Sequence, residues 1–254
     1  MTTYRIHPLV LGTKSFDKSM MTYQHDAGTP YVIPIYAWYL EGGDETVLID
    51  TGEMSPVISE DREKAIGGKI HTFEEALALH GLTPEDIDVV IHTHLHFDHC
   101  ENDMKCVNAR IYVHEAELEK IHSPHPLDYR YVEDYILDVE ENGQIEVVRE
   151  DREILPGIRV MHTPAHTPGG LTVFVDTERG AAAVTGFCVI AENFDPPGPI
   201  RALDMEVIPP GTSVDPELAY DLMLRVREEA DILIPVHEPA FAALGTLPDD
   251  LPED

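Results

Sequence analysis

The stretch Val89-Val90-Ile91-His92-Thr93-His94-Leu95-His96-Phe97-Asp98-His99 constrains this chain more than any other. Its three leading β-branched residues read as a short buried strand, and the polar run that follows reads as the loop at its end. Between positions 94 and 99 that loop carries His94, His96, Asp98 and His99. Neutral imidazole is the commonest protein ligand for metals, and carboxylate is a hard partner for the same ions. Alternate residues of extended backbone share a side, so His94 and His96 can grip one ion. Asp98 and His99 sit where the chain turns and can face a second. The blander alternative, histidines satisfied by hydrogen bonds alone, gives no reason for four ligand-bearing residues at this spacing. Such a cluster needs closing ligands from elsewhere, so the fold must carry distant segments to this loop.

Two segments qualify. Thr163-Pro164-Ala165-His166-Thr167-Pro168-Gly169-Gly170 presents His166 in a loop that prolines fix, and His166 is the natural third ligand of the first ion. Ile234-Pro235-Val236-His237-Glu238-Pro239 does the same for His237 after another apolar run, and His237 is assigned to the second ion.

Apolar, β-branched runs predict strands over 6–11, 32–40, 46–49, 89–91, 110–113, 145–148, 158–162, 171–175, 181–185 and 232–236. Helices are expected over 72–80, where Thr72 with Glu75 forms a capping-box pattern, over 115–121, and over 216–230 with Leu218, Leu222 and Val226 on one face. Strands dominate early and recur late with helices between them, which fits two sheets packed face to face with helices outside, an α/β sandwich. No repeat or linker divides the chain, so residues 1–254 are read as one domain, frayed beyond about 247 where Pro and Asp accumulate.

The charge is extreme. Lys and Arg number 17 against 48 Asp and Glu, a net −31, and the acidic residues are spread along the chain. A surface of that sign repels phosphate backbones and anionic lipids, so a small-molecule substrate is expected rather than nucleic acid or membrane. No run of about 18 apolar residues occurs that could span a bilayer. The opening residues lack a basic flank running into an apolar stretch, which makes a cytoplasmic protein the expectation. Association with a second copy stays open. The three cysteines, Cys100, Cys106 and Cys188, form no Cys-x-x-Cys pair and suggest no disulfide framework. Cys100 and Cys106 read as packing residues, His92, His114 and His162 as structural, and Met20, Met21 and Tyr23 as core or loop packing.

The run 94–99, the loop around His166, Asp50-Thr51-Gly52 after an early strand, and His237 together resemble the metallo-β-lactamase superfamily in order and spacing. Within it the chain looks most like the N-acyl-homoserine-lactone lactonases, with Phe174-Val175-Asp176-Thr177-Glu178 and Glu192-Asn193-Phe194 as further supporting strings. The resemblance spans about residues 5–238. It implies a four-layered αβ/βα sandwich of two mixed β-sheets flanked by helices, with metals at one edge. By this likeness His94, His96 and His166 hold the first ion, and Asp98, His99 and His237 the second. Asp98 and His237 are the candidate catalytic residues, and Asp50 supports a metal histidine from behind; the rival for Asp50 is a plain turn residue. Zn2+ is the expected metal, one or two ions, with iron or manganese as alternatives. Bound zinc lowers the pKa of water to near 7, which suits hydrolysis of a lactone or a related cyclic ester or amide.

One departure stands out. The family carries a bridging aspartate at the strand end before Glu192-Asn193-Phe194, whereas this chain reads Val184-Thr185-Gly186-Phe187-Cys188. Either Phe187 or Cys188 takes that place. Cys188 would be a thiolate ligand or a small buried hydrophobe. The tyrosine that lactonases carry just beyond is also absent from 189–191. The competing functions are a glyoxalase II-like thioester hydrolase, a redox di-iron protein and a non-catalytic binding module. The redox reading is weakened by His94, where redox relatives favour a mixed carboxylate set, and by the lack of a flavin domain.

A net −31 leaves carboxylates unpaired, and their repulsion reaches about 30 Å in 0.01 M salt but only about 3 Å at 1 M. The melting temperature is therefore expected to climb as potassium chloride is raised from dilute buffer to the molar range. A flat profile would count against adaptation to high salt.

Overall fold

In the computed structural model, which describes residues 2–252, the apolar runs pair into two facing sheets. The first has six strands in sequential order: β1 (Arg5–Asp17), β2 (Pro30–Glu41), β3 (Val47–Ile49), β4 (Val89–Ile91), β5 (Arg110–His114) and β6 (Ile145–Val148). The second has five: β7 (Arg152–Leu155), β8 (Ile158–His162), β9 (Leu171–Thr177), β10 (Gly180–Val184) and β11 (Ile232–Ile234), with β11 at one edge beside β10. Both are mixed. β1, β2 and β3 run antiparallel and β3 to β6 parallel, while only the β10–β11 pair is parallel in the second sheet.

Alternation explains the layers. In β3 and β4 the side chains of Val47, Ile49, Val89 and Ile91 enter the space between the sheets and meet Val160, Val173, Val184 and Ile234. Their neighbours Leu48 and Val90 point the other way, with Ile111. The helices, in chain order, are α1 (Glu60–Ile66), α2 (Phe73–Ala78), α3 (Phe97–Cys100), α4 (Glu115–His122), α5 (Asp134–Glu141), α6 (Ala191–Phe194), α7 (Gly198–Arg201) and α8 (Pro216–Glu229). Phe73 and Leu77 of α2 and Ile136 and Val139 of α5 cover the outer face of the first sheet. Ala219, Met223 and Val226 of α8 cover Met161, Phe174 and Ala183 of the second. Strands buried on both faces read as continuous apolar runs, which is why β3 and β4 are so uniformly aliphatic. The result is the αβ/βα sandwich expected from the sequence.

Several expectations shift in detail. The Thr72 capping box forms, with Thr72 Oγ1 accepting from Glu75 N and Glu75 returning the bond, but α2 closes at Ala78. In α8 the fully buried stripe is Ala219, Met223 and Val226; of the face expected, Val226 is buried, Leu222 packs at its edge and Leu218 is turned outward. Asp215 caps this helix by accepting from Leu218 N, with Pro216 at its first position. The charged sequences of α1 and β7 hid them. The tail expected to fray beyond 247 makes contacts with the body through residue 252, and residues 253–254 lie outside the described residues. Leu247 exchanges both backbone bonds with Ile6, and Arg179 donates to the carbonyls of Pro248, Leu251 and Pro252. Among the described residues no helix is long and apolar enough to cross a membrane.

The fold's consequence for function is directional. Asp50 follows β3, the 92–99 run follows β4, His166 follows β8, Cys188 follows β10 and His237 follows β11. All five strands release these residues at their carboxyl ends. The two sheets are stitched there by Leu171 N, which donates to Thr93 O at 2.8 Å.

Candidate metal centre

Two groups of side chains meet at this edge. One ligand atom from each of His94, His96 and His166 lies within 4.8 Å of the other two, and the same holds for Asp98, His99 and His237. The groups adjoin, with the His94 and His99 ring centroids 4.0 Å apart. All six side chains singled out in the sequence are brought together, the histidines buried and Asp98 half-buried.

Four of the five rings are oriented by a partner on the far nitrogen. His99 Nδ1 donates to Asp50 Oδ2 at 2.8 Å, and His237 Nδ1 donates to Pro34 O at 3.0 Å. His166 Nδ1 meets Thr212 Oγ1 at 3.0 Å. The Thr93 hydroxyl donates to Asp50 Oδ2 and so has lone pairs free for His94 Nδ1 at 3.1 Å. A proton held on Nδ1 leaves the lone pair on Nε2, the arrangement found behind metal-bound histidines. Burial, together with the neighbouring histidines, pushes His94 and His166 well below the usual imidazole range and His237 down to about 4, so these rings stay neutral. His99 behaves differently: burial opposes its protonation, but the Asp50 charge and hydrogen bond outweigh it and hold His99 high.

The donor set fits a metal. His96 Nε2 is buried and makes no hydrogen bond; its nearest carboxylate oxygen, Asp128 Oδ1, stands off at 3.4 Å. A buried nitrogen without a partner is costly, and a cation is the partner that neutral imidazoles and a carboxylate suit.

Asp50 anchors the arrangement. It is fully buried in a left-handed conformation (φ 58°) and accepts from Thr93 N, Thr93 Oγ1 and His99 Nδ1 at 2.7–2.8 Å. It is both the turn residue and the support of the His99 ring. His92 lies behind it, its Nε2 2.8 Å from Asp103 Oδ2 and its Nδ1 3.4 Å from Asp50 Oδ1. Burial works against a charge there, but Asp103 and Asp50 raise His92 to about 10. A buried imidazolium between two carboxylates is thus the structural role of His92.

A cavity of about 420 Å³ opens over the groups. Phe16, Met20, Met21, Ile33 and Phe97 make an apolar wall, and Lys14 and Arg130 add cationic heads, each held by a carboxylate, Glu53 and Asp128 respectively. Met20 and Met21 therefore line the cavity rather than serving as packing alone, whereas Tyr23 is not among its lining residues. Phe187 turns away into the core under α8, so the position facing the cavity is Cys188. Cys188 joins neither three-ligand group and packs with Met21, Ile33, Ile35 and Ile190. Burial pushes its thiol up to about 12. Cys100 and Cys106 are packing residues in the outer core of the first sheet.

The family model described as the metallo-β-lactamase superfamily matches residues 30–230. The chain belongs to that superfamily. It is a hydrolase of this family related to N-acyl homoserine lactonases. It is 28% identical over 225 residues to the N-acyl homoserine lactonase of a Bacillus species, covering 82% of this chain and 85% of that one. The lactonase of Bacillus thuringiensis subsp. kurstaki is 25% identical over 246 residues, covering 90% and 89%. A solved N-acyl homoserine lactone hydrolase, with the product N-hexanoyl-L-homoserine at its catalytic metal centre, superposes with a TM-score of 0.72 at 25% identity over 94% of each chain.

Three contributors were not legible in the sequence: Thr212, Arg130 and Lys14. Each is a lone polar residue in an ordinary setting, and only tertiary contact reveals its place. The network makes one clear demand on Asp50. Asn tolerates the left-handed turn but cannot accept from every donor, so Asp50→Asn should cost about 3 kcal/mol in chelator-treated protein, read by urea unfolding. An unchanged unfolding midpoint would show that the loop holds its shape without the carboxylate.

Proposed function

We propose that this protein opens a lactone ring of the N-acyl homoserine lactone type, using metal held by His94, His96 and His166 in one group and Asp98, His99 and His237 in the other. The observation that carries this reading is the pair of adjoining three-ligand groups at the floor of one cavity with an apolar wall. The chemistry of the related lactonases supports the substrate class.

Zn2+ or a similar divalent ion, when bound, activates water near neutral pH and polarises the carbonyl to be attacked. The protein supplies the rest. Partners on the far nitrogens of His94, His99, His166 and His237 fix the Nε2 lone pairs before substrate arrives, so little reorganisation remains for the reaction. Phe16, Met20, Met21, Ile33 and Phe97 exclude water and receive an acyl chain, whose adaptable fit suits the two methionines. Asp98, the only carboxylate among the described residues lining the cavity, takes the proton released from water at its free oxygen and returns it to the departing ring oxygen. His237, fixed on Pro34 O, completes the side of the cavity where that oxygen leaves.

Cys188 takes the place of the bridging carboxylate. Its sulfur is a zinc ligand once deprotonated, and a bound cation is the factor that would offset the burial now holding it protonated.

Elemental analysis with a panel of lactones, esters and thioesters tests the function. His96→Ala and His166→Ala should each lose the ion of the first group and abolish lactone opening. Full activity in metal-free protein would sink the reading, and a preference for thioesters would move it to a glyoxalase II-like hydrolase. For Cys188, a lower metal content in Cys188→Ala with two ions retained in Cys188→Asp is expected. Unchanged metal and rate in Cys188→Ala would leave the residue a packing group.

A further inference from the structure

Glu117 is a buried carboxylate on the first turn of α4 that the reaction does not use. It is 1% exposed, and its oxygens are fully engaged. Oε2 accepts from Leu95 N at 2.9 Å and from the Tyr131 hydroxyl at 2.9 Å, while Oε1 accepts from Gly169 N at 2.8 Å. Leu95 stands between His94 and His96. The Tyr131 ring packs edge-on against His96 at 4.7 Å. Gly169 lies three residues after His166, and a Cβ there would come within 2.7 Å of Glu117 Cγ, so the loop closes directly on this side chain. The base of the clip is firm, because α4 grows straight out of β5 with His114 Nδ1 accepting from Ala116 N at 3.2 Å.

We infer that Glu117 is the positioning residue of the first group, one carboxylate clipping the loop of His94 and His96 to the loop of His166. The inference rests on the reading that these three histidines hold an ion. Glu117 bonds Leu95, Tyr131 and Gly169 but not Asp98, His99 or His237, and the last two are oriented by Asp50 and Pro34 O instead. The clip therefore acts on one half of the centre. Two backbone N–H groups and a phenol converge on it, and a carboxylate accepts from all three. An amide cannot: whichever way Gln is turned, its NH2 faces at least one N–H donor.

Glu117→Gln should weaken one step of metal uptake by about 10–100-fold and leave the other in place. Metal-stripped wild type, Glu117→Gln, His166→Ala and the double variant are titrated with Co2+, with stepwise affinities from calorimetry and ions per chain from elemental analysis. His166→Ala should retain one step, and adding Glu117→Gln to it should leave that step unchanged. Two undiminished steps in Glu117→Gln, or weakening of the step that survives in His166→Ala, would overturn the assignment. A wild type that takes no ion at the first group would overturn the metal reading beneath it, which is a separate result. Should Glu117→Gln fail to fold, Glu117→Asp keeps the charge and shortens its reach, and the same one-step loss is expected; equal loss in both steps overturns the clip.

Discussion

A carboxylate with no access to water holds this site together. Asp50 ends β3, turns the backbone into the left-handed region, and spends its lone pairs on the main chain and hydroxyl of Thr93 and on His99 Nδ1. Burying such a charge is expensive unless it is hydrogen-bonded and compensated. Here the compensation is local, from His99 on one side and His92 on the other, which is in turn bonded to Asp103. Together they account for the loop from Thr93 to His99 taking one shape: rearranging it would strand a buried anion.

The molecule separates its charges sharply. The chain carries a net −31, yet the cavity presents a cluster of imidazoles, one half-buried carboxylate and two cationic heads already paired. Buried carboxylates are kept behind the candidate ligands, Asp50 beside His99 and Glu117 against the loops of the first group, where they orient side chains and main chain from outside the cavity. The acidic excess elsewhere belongs to solvated surface, where ionic strength acts on it.

The six candidate ligands were legible because metal chemistry admits few residue types and the loop sets their spacing. The sandwich was legible because β3 and β4 are apolar on both faces, a pattern that a strand packed on one side only does not need. What stayed hidden depended on facing. A loop gives no period, so sequence could not choose between Phe187 and Cys188; the core under α8 takes one and the cavity the other. In α8 the leucines suggested the buried stripe, but the close approach of the second sheet selects Ala219 and Met223, one position round the helix. Glu117 looked like any acidic residue on the first turn of a helix, where the dipole alone would favour it. β7 and α1 are so heavily charged that their pattern resembles loop.

Each three-ligand group draws on both sheets. The first takes His94 and His96 from the loop after β4 and His166 from the loop after β8; the second takes Asp98 and His99 from the former and His237 from the end of β11. Neither group exists in either half alone, so the separated halves can offer an ion only a partial set. Coordination is then linked thermodynamically to closure of the sandwich: an ion that binds the docked halves favours docking by RT ln(1 + [L]/Kd). An ion held by these six side chains would thus be a cross-brace as well as a reagent, and its loss would loosen the seam between the sheets before it disturbed either sheet by itself.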